Sequence, residues 1–254
     1  MREMTPQTPI LELAGVTRNF GGLQALSGVT LRIEAGDVRG IIGPNGAGKT
    51  TLFNVVTGEF KPSSGKVYLR GEDISGLPPY AICRKGLSRT FQLTRIFPEM
   101  TVYDSIWAGA NSKARYPWNP VSSARHLEQT ERETMEICKL IGLEEKKDEL
   151  AVNLSYGDQK VLEIAMALST KPSVLLLDEP TQGVGGREVD MIVEVVKKLS
   201  EKMTIVLIEH TIDVVMQVCK TVTVLTEGQV FAEGTPQEIS ANKEVQRVYL
   251  GEEI

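Results

Sequence analysis

The sequence is short of cysteine, of basic charge and of long apolar runs, and each shortage removes a class of function. Its three cysteines, Cys83, Cys138 and Cys219, stand far apart and make neither a C-x-x-C pair nor a zinc spacing. Reduced thiols in a cytosolic protein are therefore expected. The formal net charge is −5, which argues against nucleic acid as the main partner, because neutralising phosphates takes a basic surface. The first ten residues hold no apolar stretch of signal-peptide length. No segment approaches the roughly 20 apolar residues that cross a bilayer; the longest, such as residues 174–177 and 205–208, are strand-sized. Any membrane part would have to come from other chains. There is no internal repeat and no low-complexity segment. What remains is a chain of 254 residues, 41% hydrophobic and 24% charged, enough to bury a full core in one compound domain.

Periodicity organises that chain into three stretches. Residues 10–42 read as strands: Val29, Leu31 and Ile33 alternate with Thr30, Arg32 and Glu34, the period of a half-buried strand. Ala35-Gly36-Asp37 reads as a hairpin turn, and residues 38–42 form a short run before a glycine-rich loop. A helix is expected over residues 49–56, a strand over 65–69 and a short helix over 80–85. From residue 87 to 168 strand signals fade. Helices are expected over 102–110 and 124–141, with Met135, Ile137, Cys138 and Ile141 as one apolar stripe and a loop over 111–123, which holds Pro117, Trp118 and Pro120. After Pro172 strands (173–177, 204–208, 222–225, 230–232) alternate with helices (187–198, 212–218), the pattern of parallel strands with crossover helices.

Two segments carry chemistry. Gly43-Pro44-Asn45-Gly46-Ala47-Gly48-Lys49-Thr50 fits G-x-x-x-x-G-K-[ST] between a strand and a helix. Glycines let backbone N–H groups turn toward phosphate oxygens without a Cβ clash, and the helix adds the positive end of its dipole. Lys49 supplies charge to the β- and γ-phosphates, and Thr50 offers a hydroxyl to Mg²⁺. Downstream, an apolar strand ends in Asp178-Glu179-Pro180. With the glycine loop upstream, Asp178 is the candidate to help hold Mg²⁺ and Glu179 the candidate general base for an attacking water.

Leu154-Ser155-Tyr156-Gly157-Asp158-Gln159, standing shortly before those carboxylates, resembles the signature motif of the ATP-binding cassette family, and the likeness covers nearly the whole chain. It implies an α/β fold: a P-loop NTPase core (a RecA-like mixed sheet with an antiparallel part) over residues 1–88 and 169–254, and an inserted α-helical subdomain over 89–168. It implies ATP and Mg²⁺, with Gly43 to Gly48, Lys49, Thr50 and Thr51 around the phosphates. Phe20 is similar to the aromatic that stacks on adenine, and Gln92 to the glutamine that reaches Mg²⁺ and the attacking water. His210 is similar to the switch histidine on the γ-phosphate, and Gly183-Val184-Gly185-Gly186 to the loop that crosses a dimer seam. Ser155 and Gly157 would close over ATP held by a second cassette. Each has a plainer alternative: Phe20 as a core aromatic, Gln92 as a surface amide and His210 as a strand-end histidine. Ser155-Tyr156-Gly157-Asp158 also reads as a capping box. The chain departs from the family pattern at Tyr156, Asp158, Gly185 and Thr211. Asp158 near a triphosphate is unfavourable unless it caps its own helix.

A narrower likeness rests on Arg89-Thr90-Phe91-Gln92, on Phe97-Pro98-Glu99-Met100-Thr101-Val102, on Ala232-Glu233-Gly234-Thr235-Pro236 and on Tyr249-Leu250-Gly251-Glu252. These segments are similar to import cassettes for branched-chain and other hydrophobic amino acids, and residues 111–133 suit the longer of their two cassettes. The implied setting is the cytoplasmic face of the inner membrane. The implied partners are permease subunits, docked near residues 93–100, a second cassette and an extracytoplasmic substrate-binding protein. Leu93, Ile96 and Phe97 could equally be core residues. Urea or amide importers and lipid or lipopolysaccharide exporters look alike at this level. A soluble family member in DNA repair or translation would be expected to carry a coiled-coil insertion or tandem cassettes. A non-hydrolysing scaffold would not need both Glu179 and His210.

Overall fold

The computed structural model describes residues 8–92, 94–112 and 120–250. β1 (Leu11–Phe20) turns at Gly21-Gly22 into the antiparallel β2 (Leu23–Ile33), and their inward residues, including Leu11, Leu13, Val29 and Leu31, are buried. The turn at Ala35-Gly36-Asp37 does not make the expected hairpin: β3 (Val38–Ile42) leaves β2 and pairs in parallel with strands from the C-terminal half. The reason lies in the burial pattern. β2 alternates and suits a sheet with one wet face, whereas every residue of β3 is buried, which requires a sheet covered on both faces. Arg39 within β3 survives there because Asp37 and Glu233 pair with it at 3.2 and 2.6 Å.

α1 (Lys49–Val56) follows the glycine loop. β4 (Ser64–Leu69) returns to β1, and β5 (Glu72–Asp73) extends that sheet. α2 (Pro79–Lys85) starts on proline and is closed by Gly86 at φ 103°. β6 (Leu87–Arg89) is a parallel edge strand where strand signals were expected to fade; three residues are too few to show a period. α3 (Val102–Asn111) is capped by Thr101, and α4 (Pro120–Ile141) begins four residues before the expected start. Residues 120–123 of the expected loop are thus helical, proline being well placed in a first turn. Residues 113–119 of that loop, Leu93 of the expected docking segment and residues 251–252 of the tail motif lie outside the described residues. The buried row of α4 is Thr130, Thr134, Cys138 and Ile141 rather than one containing Met135. Two threonines join it because their hydroxyls donate to the carbonyls of His126 and Thr130 four residues back.

α5 (Tyr156–Ser169) leads into β7 (Val174–Asp178), then α6 (Arg187–Ser200), β8 (Thr204–Ile208) and α7 (Ile212–Val218). β9 (Thr221–Thr226) and β10 (Gln229–Gly234) form a hairpin, and α8 (Pro236–Ala241) and α9 (Lys243–Leu250) follow. Among the described residues the fold is α/β with two sheets: antiparallel β2-β1-β4-β5, and β10-β9-β3-β8-β7-β6, in which only β10 runs antiparallel to its neighbour. The larger sheet separates two cores. Val174, Leu176, Val206 and Ile208 face one core with α1 and the antiparallel sheet. Leu175, Leu177, Ile205 and Leu207 face the other with α3, α5, α6 and α7. The period-2 alternation of β7 and β8 divides each strand between them. Gly43, Glu179 and His210 all lie just past the carboxyl ends of parallel strands, the place where open α/β sheets bind ligands.

Candidate active site

The glycine loop is shaped by two close approaches. A Cβ on Gly43 (φ 154°) would stand 2.1 Å from the Leu225 carbonyl oxygen, and one on Gly48 (φ 99°) 2.6 Å from that of Ala25. Lys49 is 6% exposed and its Nζ donates to the carbonyls of Gly43 at 2.7 Å and Pro44 at 3.0 Å. Burial lowers its pKa, and the nearby carboxylates of Glu179 and Asp178 oppose that shift. The N-terminus of α1 has no side-chain cap and no acidic residue in its first turn, so its amides point out uncapped.

These groups open onto a cleft of about 830 Å³. It brings together Phe20, Asn45, Gly46, Ala47, Gly48, Lys49, Thr50, Thr51, Gln92, Glu179 and His210. Gly43 and Pro44 do not line the cleft but hold the lysine from behind. Phe20 stands at the rim, 38% exposed, with the Phe60 ring edge-on at 5.2 Å and the Arg18 guanidinium 4.5 Å from its ring. It is a rim aromatic and not a core one.

Glu179 follows β7 with φ 49°, a left-handed conformation uncommon for a residue with a Cβ. Its N–H donates to the Ile208 carbonyl, which ties this turn to the end of β8. The side chain is 5% exposed and aimed by two neighbours: Gln92 Nε2 donates to Oε2 at 3.1 Å, and His210 Nε2 lies 2.8 Å from Oε1. Asp178 is deeper, 1% exposed. Arg89 pairs with its Oδ2 at 2.6 Å and also donates to Asn54 Oδ1. Asp178 Oδ1 is buried with no hydrogen-bond partner among the described residues.

Ser155 and Gly157 do not line this cleft. Ser155 caps α5 by accepting the Asp158 N–H at 3.1 Å. The expected box is only half made, because Asp158 turns to Lys146 at 2.5 Å instead of back to the cap residue. Lysine in reach outcompetes a single neutral N–H for a carboxylate. The Gly157 N–H donates to Glu188 Oε1 at 3.3 Å, and a Cβ on Gly183 of the seam loop would stand 3.1 Å from the Tyr156 ring. Sequence reasoning gave no role to Arg89, Glu188 or Glu209. The last accepts the N–H and hydroxyl of Thr181 and the N–H of His210, fixing the loop after β7 to that after β8. All three find their partners across long loops or neighbouring strands, which local spacing does not reveal.

Comparison with known proteins agrees with this geometry. The family described as ABC transporter matches residues 26–182, and the family described as branched-chain amino acid ATP-binding cassette transporter matches residues 229–254. The chain is 40% identical to the high-affinity branched-chain amino acid transport ATP-binding protein BraF of Pseudomonas aeruginosa. It is 38% identical to the corresponding protein LivG of Escherichia coli strain K12, with 96% of this chain and 98% of the relative covered in each case. The ADP conformation of MJ1267, an ATP-binding cassette of an ABC transporter, superposes with a TM-score of 0.83 at 33% identity over 96% of this chain and 99% of that one. The dimeric cassette MJ0796 does so at 0.76 and 26% identity, over 89% and 98%. Glycine loop, carboxylate pair, fold and relatives converge: this chain belongs to the ABC transporter family, as an ATP-binding cassette and ATP hydrolase.

Proposed function

We propose that the chain is the ATPase subunit of an importer for branched-chain or other hydrophobic amino acids. It would work at the cytoplasmic face of the inner membrane with permease subunits, a second cassette and an extracytoplasmic binding protein. The names of its relatives and the match at residues 229–254 support the substrate class. Among the described residues no helix is long and apolar enough to cross a membrane, so permease subunits have to supply the passage.

The observation that carries the chemistry is Glu179, held between Gln92 and His210 beside the Lys49 loop. Lys49 and the uncapped amides of α1 bind the β- and γ-phosphates, Thr51 adds a further contact, and Phe20 takes the adenine at the rim. Glu179 accepts a proton from the attacking water, and Gln92 and His210 fix where its carboxylate points. The residues present fit Mg²⁺: the donors are hard oxygens, and Asp178 has one buried oxygen without a partner among the described residues. Thr50, Gln92 and Asp178 would hold the ion, which would supply neutralisation of the triphosphate's negative charge.

The division of labour follows residues 1–88 and 169–254 as the ATP-binding core and 89–168 as the helical subdomain. Ser155 and Gly157 stand off their own chain's cleft, as a pair serving the partner's ATP must. Phe97, Leu150 and Val152 are 52%, 40% and 56% exposed, and the Val152 N–H donates to the Pro98 carbonyl, which holds their segments side by side. This patch extends the expected docking segment for the permease.

The test is Glu179→Gln. ATP binding is expected to persist while turnover falls by about 10²–10⁴-fold and ATP-bound dimers accumulate on size-exclusion chromatography. Hydrolysis near the original rate would remove the general-base assignment.

A further inference from the structure

Beyond Asp158 in its first turn, α5 carries two buried charges that binding and hydrolysis, as described, do not use. Lys160 is 2% exposed and Glu163 is 5% exposed. They are three residues apart and therefore share a face of the helix. Burying such groups is unfavourable unless each is hydrogen-bonded. Each makes a bond to one dipeptide: Lys160 Nζ donates to the Gln92 carbonyl at 2.8 Å, and Glu163 Oε1 accepts the Phe91 N–H at 2.8 Å. The surroundings hold the same dipeptide. The Arg95 guanidinium lies 3.9 Å from the Phe91 ring centroid, and that of Arg89 5.2 Å. Burial pushes the Glu163 carboxyl up, while the backbone N–H groups of Phe91 and Arg95 and the charges of Lys160 and Arg95 pull it back.

Gln92 is the residue whose amide reaches Glu179 Oε2 at 3.1 Å. α5 is also the helix whose first turn bears Ser155 and Gly157. We propose that Lys160 and Glu163 are positioning residues for hydrolysis: they clamp the Phe91–Gln92 main chain to α5, so that the seating of this helix sets the hydrogen bond from Gln92 to Glu179. The inference rests on the reading of Gln92 and Glu179 given above. It adds a connection between sites. The end of α5 that bears Ser155 and Gly157 and the amide that aims the base in this chain's own cleft are joined through that helix.

The experiment measures ATP hydrolysis and thermal unfolding of the full chain for Lys160→Met, Lys160→Arg, Gln92→Ala and the Lys160→Met/Gln92→Ala double variant. Lys160→Met is expected to lower kcat by about ten- to a hundredfold with the ATP KM within about twofold, since a mispositioned group acts in the transition state and not in binding. Lys160→Arg, which keeps a donor at that point, is expected to restore most of the rate. In the Gln92→Ala background Lys160→Met is expected to add less than about a further twofold, because the two act as one unit. An undiminished kcat in Lys160→Met beside a slow Gln92→Ala would overturn the clamp alone. So would an equal fold-loss with and without Gln92, which is what a merely structural lysine would produce. A Gln92→Ala variant at the original rate would instead overturn the reading of Gln92 on which the clamp rests.

Discussion

Two helices of this protein follow small residues and, on the reading proposed above, offer their first N–H groups to a phosphate, yet the chain treats them differently. α1 starts at Gly48 with no side-chain cap and no acid in its first turn. α5 starts at Ser155, whose hydroxyl takes the Asp158 N–H, while the carboxylate of Glu188 takes the Gly157 N–H and Asp158 itself sits in the first turn. The first terminus is incomplete without an anion. At the second, the Gly157 and Asp158 N–H groups are already taken by oxygens of the chain's own side chains, and a triphosphate that needs either of them has to displace its partner. If, as proposed above, the first end holds this chain's nucleotide and the second closes over a partner's, the second contact is the weaker one and the one open to control.

The comparison is broken most severely at Lys49. Its buried ammonium balances the loop carbonyls and stands near Glu179 and Asp178. Lys49→Ala removes charge-assisted bonds worth about 3 kcal/mol, so ATP affinity is expected to fall on the order of a hundredfold in a nucleotide titration while α1 remains folded. Unchanged affinity would mean that the uncapped end of α1 is not the phosphate site.

The second break is at Gly157. A Cβ there would stand 2.8 to 2.9 Å from the carboxyl carbon, Cβ and Cγ of Glu188. Gly157→Ala is therefore expected to cost about 2 kcal/mol of stability through overpacking, read from denaturant unfolding. Glu188→Ala in the same chain should recover part of it, since it removes Cγ and the carboxyl carbon but keeps the Cβ contact. No recovery would place the strain elsewhere than between α5 and α6.

The same contrast shows what sequence can and cannot reveal. The Gly43–Gly48 loop stands between β3 and α1, and β7 and β8 are continuous apolar runs buried on both faces, because those patterns are local and repeat along the chain. β6, with its three residues, has no period to detect. The turn at Ala35-Gly36-Asp37 looked like a hairpin because turn chemistry does not say which sheet the next strand joins. In the site, Glu179, Gln92 and His210 were named from their motifs. Arg89 on Asp178 and Glu188 on Gly157 were not, since those partners are 89 and 31 residues apart and only the completed fold brings them together.

A smaller effect is expected at the cap of α5. Ser155→Ala removes the acceptor for the Asp158 N–H, and loss of such a cap costs about 1 kcal/mol, visible as a modest fall in unfolding midpoint. If Ser155 also contacts a partner's nucleotide, ATP-driven dimerisation in the Glu179→Gln background should weaken by more than that lost stability accounts for. A dimer of unchanged strength would reduce the serine to a cap.

The smallest effect discriminates best. Glu188 lies in the first turn of α6, where the helix dipole favours a negative charge, and its bond to the Gly157 N–H is long at 3.3 Å. Glu188→Gln keeps an oxygen that can accept that N–H but removes the charge. Unfolding is then expected at a slightly lower temperature, because α6 loses a favourable charge. Dimerisation, followed by sedimentation against ATP concentration in the Glu179→Gln background, is expected to strengthen on the order of threefold, the size of one charge at a helix end. The two changes have opposite signs, which separates competition from support. If the carboxylate is a stand-in for phosphate at α5, removing its charge helps the nucleotide; if it is a strut between α5 and α6, both stability and dimerisation fall together.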